Sequence, residues 1–233
     1  MSAKCEQLHA LTNRLKRHYY PFDENDMPKN GVLLLFEKDE TAHSSDRIVR
    51  IGINEKQDNL RSWIKKHFKH GGTKCDFRRK IRCAIVNQGI QKGLYDWSQD
   101  DLYDCGISTS GEAKKRLVAK GKWKEIDRQV SDYICQNISF VHIEIKDAKN
   151  RRELKPRLIS TVANCTECHA SKDWLGKFST KDKVCESGLW LENHLCGTGL
   201  TDVDMDMLER IIMEKHDTAW HSNKRHSCTI RRR

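Results

Sequence analysis

Asn30-Gly31-Val32-Leu33-Leu34-Leu35-Phe36-Glu37 and Arg47-Ile48-Val49-Arg50-Ile51-Gly52 are two short apolar runs separated by a polar stretch. Runs of this length, rich in branched aliphatics and bounded by polar clusters, read as strands at about 31–37 and 47–52. The polar residues 38–46 connect them, so an antiparallel pair is the economical arrangement. The period then changes. Leu60, Ile64 and Phe68 recur every four residues and mark a helix over about 59–69, ended by Gly71-Gly72. A second basic helix follows at about 76–88. Its apolar stripe is Phe77, Ile81 and Ile85 or Val86, which leaves Arg78, Arg79 and Arg82 to water or phosphate.

Working outward, residues 3–18 suggest a helix with Leu8, Leu11 and Leu15 on one stripe, and Pro21 with the polar 23–30 cluster forms a linker. Residues 89–122 show no clear period and read as an insertion: an acidic aromatic stretch (Tyr95, Trp97, Tyr103), then a Gly/Ser/Lys-rich loop. A helix at about 123–136 carries Ile126, Val130 and Tyr133. In the segment 138–146, Val141, Ile143 and Ile145 alternate with His142, Glu144 and Lys146, the period of a half-buried strand. A helix at about 150–163 follows, with Pro156 expected to disturb it. Thr201-Asp202 opens a last helix bearing Val203, Met207 and Ile211, and the tail ends Arg231-Arg232-Arg233. This divides the chain into an N-terminal helix and linker (1–28), a domain (29–200) and a C-terminal helix with a basic tail (201–233).

The chain has 233 residues, 37% hydrophobic, and a net charge of +10. That length supports one substantial core. The surplus charge suggests an anionic partner, with nucleic acid first and an acidic protein second. Clustering strengthens the first: ten Lys/Arg stand between Arg61 and Lys92 against one acid, Asp76. Lys65, Lys66 and Lys69 with Arg78, Arg79 and Arg82 form the candidate DNA-contacting stripe, of the kind that grips phosphate without reading bases. No apolar export core and no membrane-length run are visible, so a cytoplasmic protein with reduced thiols is expected.

The ordered set Gly31-Val32-Leu33, Arg50-Ile51-Gly52, Leu60-Arg61-Ser62 through His67-Phe68, Leu158-Ile159-Ser160-Thr161, Trp174-Leu175-Gly176 and Ser187-Gly188-Leu189-Trp190 resembles the GIY-YIG nuclease superfamily, in its bacterial restriction-like or uncharacterised branch. The resemblance implies an α+β fold, a small three-stranded antiparallel sheet flanked by helices, here with helical extensions at both ends. It also implies phosphodiester hydrolysis on DNA with a divalent ion, normally Mg2+. That chemistry needs a base, a cation for the phosphate and a metal. The resemblance assigns these to a tyrosine of the first triplet, a helix arginine and a glutamate. Here Leu33, Trp63 and Lys155 stand at those positions, Arg50 replaces the second triplet's tyrosine, and Asp173 stands where asparagine is common. Impaired or absent cleavage is the expectation, with a role as partner of an active nuclease. An active enzyme would have to use rearranged residues: His67 or a remaining tyrosine as base, Arg61 or Arg50 on phosphate, Glu153 on Mg2+.

Cys165-Thr166-Glu167-Cys168 has the C-x2-C spacing of a zinc pair, with Cys185, His194 and Cys196 as candidates to complete a structural Zn2+ site. Buried thiols acting as small hydrophobes are the alternative. The following His169 also spells a c-type haem attachment, which the absence of an export segment argues against.

Overall fold

The computed structural model describes residues 2–69, 75–106, 115–118 and 120–227. The Gly71-Gly72 break, most of the Gly/Ser/Lys-rich loop and the terminal arginines lie outside them. The architecture is α+β: helices flank a three-stranded antiparallel sheet of order β2-β1-β3, built from β1 (Gly31–Ala42), β2 (Ser45–Ile53) and β3 (Ile138–Glu144).

β1 and β2 are longer than their apolar runs. Residues 38–46 are mostly strand, not a connection: Thr41 pairs Asp46 and Ala42 pairs Ser45 across a two-residue turn. His43 and Ser44 both take positive φ (50° and 56°), the turn geometry that matches strand twist. The polar composition concealed this because two of the polar residues, Glu40 and Arg47, pair with each other in the interior. The register shifts between Leu35 and Phe36, leaving Val49 as an extra residue beside the Leu35–Arg50 pair. This bulge turns Val49 into the same core as Leu35.

Both sheet faces are covered, which is why β1 reads as a continuous apolar run rather than an alternation. Leu33, Leu35, Ile138 and Phe140 pack against α2 (Leu60–Phe68), α3 (Asp76–Gln91), α4 (Gln99–Gly106) and α5 (Lys122–Asn137). Val32, Leu34, Phe36, Val141, Ile143 and Ile145 pack on the other face against α1 (Ser2–Asn13), α6 (Ala148–Ala163) and α8 (Asp202–Ser227); a short helix, α7 (Asp182–Ser187), precedes α8. Each fully buried leucine here contributes about 1.5–3 kcal/mol.

α1 stops at Asn13, and the chain beyond it pairs His18 with Phe140 through reciprocal backbone hydrogen bonds of 2.9 and 3.0 Å, partly closing the β3 edge. α6 runs through Pro156, although the sequence suggested a disturbed helix there. The proline forfeits one bond, to the carbonyl of Arg152, an exposed residue. α3 departs most from the sequence reading. It has neighbours on several sides, so it buries Arg78, Lys80 and Arg82 along with Phe77, Ile81, Ala84 and Val86. No helix among the described residues is long and apolar enough to cross a membrane.

Candidate functional site

The two triplets lie side by side on β1 and β2, with Leu33 paired to Gly52. A Cβ on Gly31 would sit 2.2 Å from the carbonyl oxygen of Ile143 on β3, so only glycine allows that strand approach. A Cβ on Gly52 would sit 2.1 Å from the Trp63 indole. The tryptophan thus fills the space over the second triplet, and its ring lies 4.3 Å from that of His67. Leu33 is wholly buried core.

His67, the retained candidate base, is buried. Burial, with help from Arg50 and Arg78, pushes its pKa well below the ordinary range. Its Nε2 has no hydrogen-bond partner among the described residues, and Nδ1 lies 3.5 Å from the Cys75 sulfur. The ring is shut in by Trp63 and Phe77. Tyr133 cannot replace it: its hydroxyl donates to Glu37, and burial drives its pKa upward.

Beside the second triplet, β2, α3, α6 and the loop after Trp190 enclose a polar cleft of about 320 Å³. Arg50, Asp76, Arg79, Lys80, Lys155 and Glu192 line it. Lys80 is 2.5 Å from Asp76 and 2.8 Å from Glu192; Arg79 also binds Asp76, and Arg50 lies 3.8 Å from it. Burial works to raise the Asp76 pKa, but Lys80, Arg79 and Arg50 outweigh it and bring it down to about 2. Burial lowers the pKa of both Arg50 and Lys155. Arg50 donates to the carbonyl of Trp190 and lies over the Phe77 ring, while its Nε has no hydrogen-bond partner among the described residues. Of these groups the sequence offers Arg50, Arg79 and Lys155 as notable positions for the site, and Asp76 only as the one acid in a basic stretch. Asp76, Lys80 and Glu192 look like ordinary helix and loop charges until the fold brings them together.

Mg2+ requires several free oxygen ligands. The cleft's two carboxylates are already committed to lysine and arginine, and Lys155 brings a positive charge to the position where the resemblance expects the metal's carboxylate. This donor set does not fit a magnesium ion. Glu153 does not supply the missing ligand. It is exposed on α6, two residues around the helix from Lys155, within 4.0 Å of Lys149.

The remaining candidates are dispersed. Arg61 donates to the Met27 carbonyl at 2.9 Å. Lys65 pairs with Glu24 at 2.6 Å, while Lys66 and Lys69 are exposed. Arg78 and Arg82 do not face solvent. Arg78 binds Asp127 and Ser131, and Arg82 lies over Trp123. Asp173 is exposed. Cys185 donates to backbone carbonyls at 176, 177 and 179, Cys196 is exposed, and His194 gives its own carbonyl to Ser160. None of these three joins Cys165 and Cys168, whose neighbours are Cys5 and His43 instead.

The blocks around Trp174 and Trp190 hold the site's walls to the sheet. Both indole nitrogens donate to the buried Glu37 carboxylate, at 3.0 and 2.8 Å. Arg47 binds Glu40 at 2.9 and 2.5 Å and the Gly188 carbonyl at 2.6 Å, and Ser171 caps Glu40.

Sheet order, the helix laid over the second triplet and the cleft beside it define a nuclease-like α+β domain. The GIY-YIG domain model matches residues 4–218, and the chain belongs to the GIY-YIG domain family, whose nucleases generally use divalent metals. No curated protein and no solved structure matches the chain.

Proposed function

We propose that the chain holds DNA by its phosphates and does not hydrolyse it. One observation carries this reading. The cleft beside the second triplet sets four cations (Arg50, Arg79, Lys80 and Lys155) against two carboxylates, with no free acid for a metal. A phosphate there would meet Arg50, Arg79 and Lys155, with the exposed His194 as the one imidazole among the lining residues. Exposed Lys66 and Lys69 extend the positive surface along α2. Such contacts position DNA and carry little sequence information.

The test uses a labelled duplex and a supercoiled plasmid. Binding weakens steeply with salt, and Lys155→Glu and Arg79→Glu each cost about tenfold in affinity and flatten the salt slope by roughly one ion. The plasmid stays closed with Mg2+ or Mn2+. Nicking by pure wild type that tracks the protein through purification refutes the non-hydrolytic reading. Unchanged affinity in both variants, with folding intact, refutes the cleft as the phosphate site.

A further inference from the structure

On the opposite sheet face, four sequence-distant residues converge: Cys5 from α1, His43 from the β1–β2 turn, and Cys165 and Cys168 from the loop after α6. Their ligand atoms all lie within 4.8 Å of one another. Cys5 Sγ is 3.4 Å from Cys168 Sγ, and Cys165 Sγ is 3.3 Å from His43 Nε2. A disulfide needs its sulfurs near 2.05 Å, so these are thiols in contact. The edges instead approach those of a tetrahedron about a zinc ion, whose bonds are about 2.3 Å to sulfur and 2.0–2.1 Å to nitrogen.

Two surrounding contacts favour a metal over mere packing. His43 turns Nδ1 toward the Glu167 carboxylate, 3.5 Å away, and Nε2 toward Cys165 Sγ. A carboxylate on the far nitrogen is how metal-binding histidines are commonly oriented. The Glu167 backbone N–H points at Cys165 Sγ from 3.4 Å, a donor suited to a thiolate. A nearby histidine is engaged elsewhere: His9 Nδ1 lies 2.9 Å from the Cys5 carbonyl and Nε2 accepts the Ile48 N–H at 3.2 Å, while Nε2 stands 3.8 Å from Cys168 Sγ. The three cysteines are buried, and the His43 side chain is only 1% exposed.

We infer that Cys5, His43, Cys165 and Cys168 bind one structural zinc ion. Coordination displaces a proton from each thiol, three in all, with no change in oxidation state. Four protein ligands leave no open position, so the site holds structure and does no chemistry. It ties α1 and the hairpin turn to the loop after α6, independently of the cleft.

The test is the metal content of the reduced full-length chain, with Co2+ exchanged in as the spectroscopic probe. One zinc per chain is expected. The cobalt form should show the visible bands of a tetrahedral site and a near-ultraviolet sulfur-to-cobalt band. Cys168→Ser and Cys5→Ser should lose both, whereas Cys185→Ser and Cys196→Ser should keep them. Should the first two fail to fold, His43→Cys keeps a closed set of four thiolates; it should retain zinc with a shifted cobalt spectrum. A folded wild-type chain that carries no zinc, shows no tetrahedral cobalt spectrum and leaves all its thiols open to titration after denaturation alone overturns the inference. So does zinc that persists without Cys5 and Cys168.

Discussion

Replacing Glu37 by alanine and by glutamine tests whether the site's walls are held by hydrogen bonds or by charge. The side chain is buried and accepts from three donors, the Trp174 and Trp190 indoles and the Tyr133 hydroxyl. Trp190 in turn gives its carbonyl to Arg50, so the network reaches the cleft. Alanine strands all three donors. Each buried donor left unmade costs about 1–3 kcal/mol. Water entering the emptied volume relieves part of this, so Glu37→Ala should lose about 3–5 kcal/mol, a large share of the roughly 5–15 kcal/mol that holds a domain together.

Glutamine is different. Its amide oxygen can accept both indoles, and its NH2 can donate to the Tyr133 oxygen, which accepts as readily as it donates. All partners stay satisfied, and the cost at neutral pH should stay within about 1 kcal/mol. The pH dependence sharpens the test. Burial raises the Glu37 pKa above 4.5, more than its three donors and Arg47 lower it. The folded state therefore holds this proton more tightly than the unfolded chain. The resulting stability is full below about 4.5 and is lost as pH rises toward the folded value. Glu37→Gln removes that decline, so it should gain on wild type as pH rises through the window. Urea unfolding followed by tryptophan fluorescence across pH reads both effects. A glutamine variant as unstable as the alanine variant at neutral pH would show that charge, acting through Arg47, holds the walls.

Three further outcomes are expected. Arg82 is buried, and its guanidinium nitrogens have no hydrogen-bond partner among the described residues; Arg82→Met should leave stability unchanged or raise it by about 1 kcal/mol, with DNA affinity unaltered, and a tenfold affinity loss in a fully folded variant would place Arg82 on phosphate after all. The Asp76 carboxyl lies near 2 when folded against 3.8 ordinarily. Its stabilisation is present above about 3.8 and lost as pH falls toward 2. Just under two units at 1.36 kcal/mol each gives about 2.4 kcal/mol; the side chain is 45% exposed, and solvent screening reduces this to about 1 kcal/mol. Acid titrations of Asp76→Asn should lack that slope, and an unchanged acid limb would mean the ion pairs are absent in solution. Trp63→Arg combined with Lys155→Glu restores two charges that the family resemblance assigns to cleavage; this variant should melt earlier, because the indole over Gly52 is lost, yet nick plasmid with Mg2+ where wild type does not. Absence of nicking in a folded double variant would show that the tyrosine missing at Leu33 is also required.

What could be read from the sequence depends on how many neighbours an element has. β1 was legible because five consecutive apolar residues, Val32 to Phe36, need a sheet covered on both faces, and the alternation at 141–145 named its face correctly. Periodicity assumes one buried stripe and one wet one. α3 violates that, because the sheet, α4, α5 and residues 175–178 surround it, so Arg78 and Arg82 were read as surface groups. Residues 38–46 misled for a related reason: a buried Glu40–Arg47 pair looks like two solvated charges until its partners are seen. The C-x2-C pair supplied half of the Cys/His cluster, and no spacing rule could have supplied Cys5 or His43, which lie more than a hundred residues away in the chain.

The same distinction explains how the chain keeps the family's form while departing at its chemistry. The blocks that carry the resemblance do structural work. Gly31 admits the neighbouring strand, Gly52 admits an indole, Trp174 and Trp190 converge on Glu37, and the Gly188 carbonyl seats Arg47. None of these contacts involves a catalytic group. Leu33 and Trp63 place packing where the resemblance expects polar functions, and beside Trp63 the buried His67 Nε2 has no hydrogen-bond partner among the described residues. Lys155 joins a cleft where Arg50 is already paired off. These structural contacts therefore do not oppose the proposed loss of hydrolysis, and the proposed hold on a polyanion rests on the cations at the cleft. Scaffold and chemistry rest on separate residue sets, so one can be exchanged without disturbing the other.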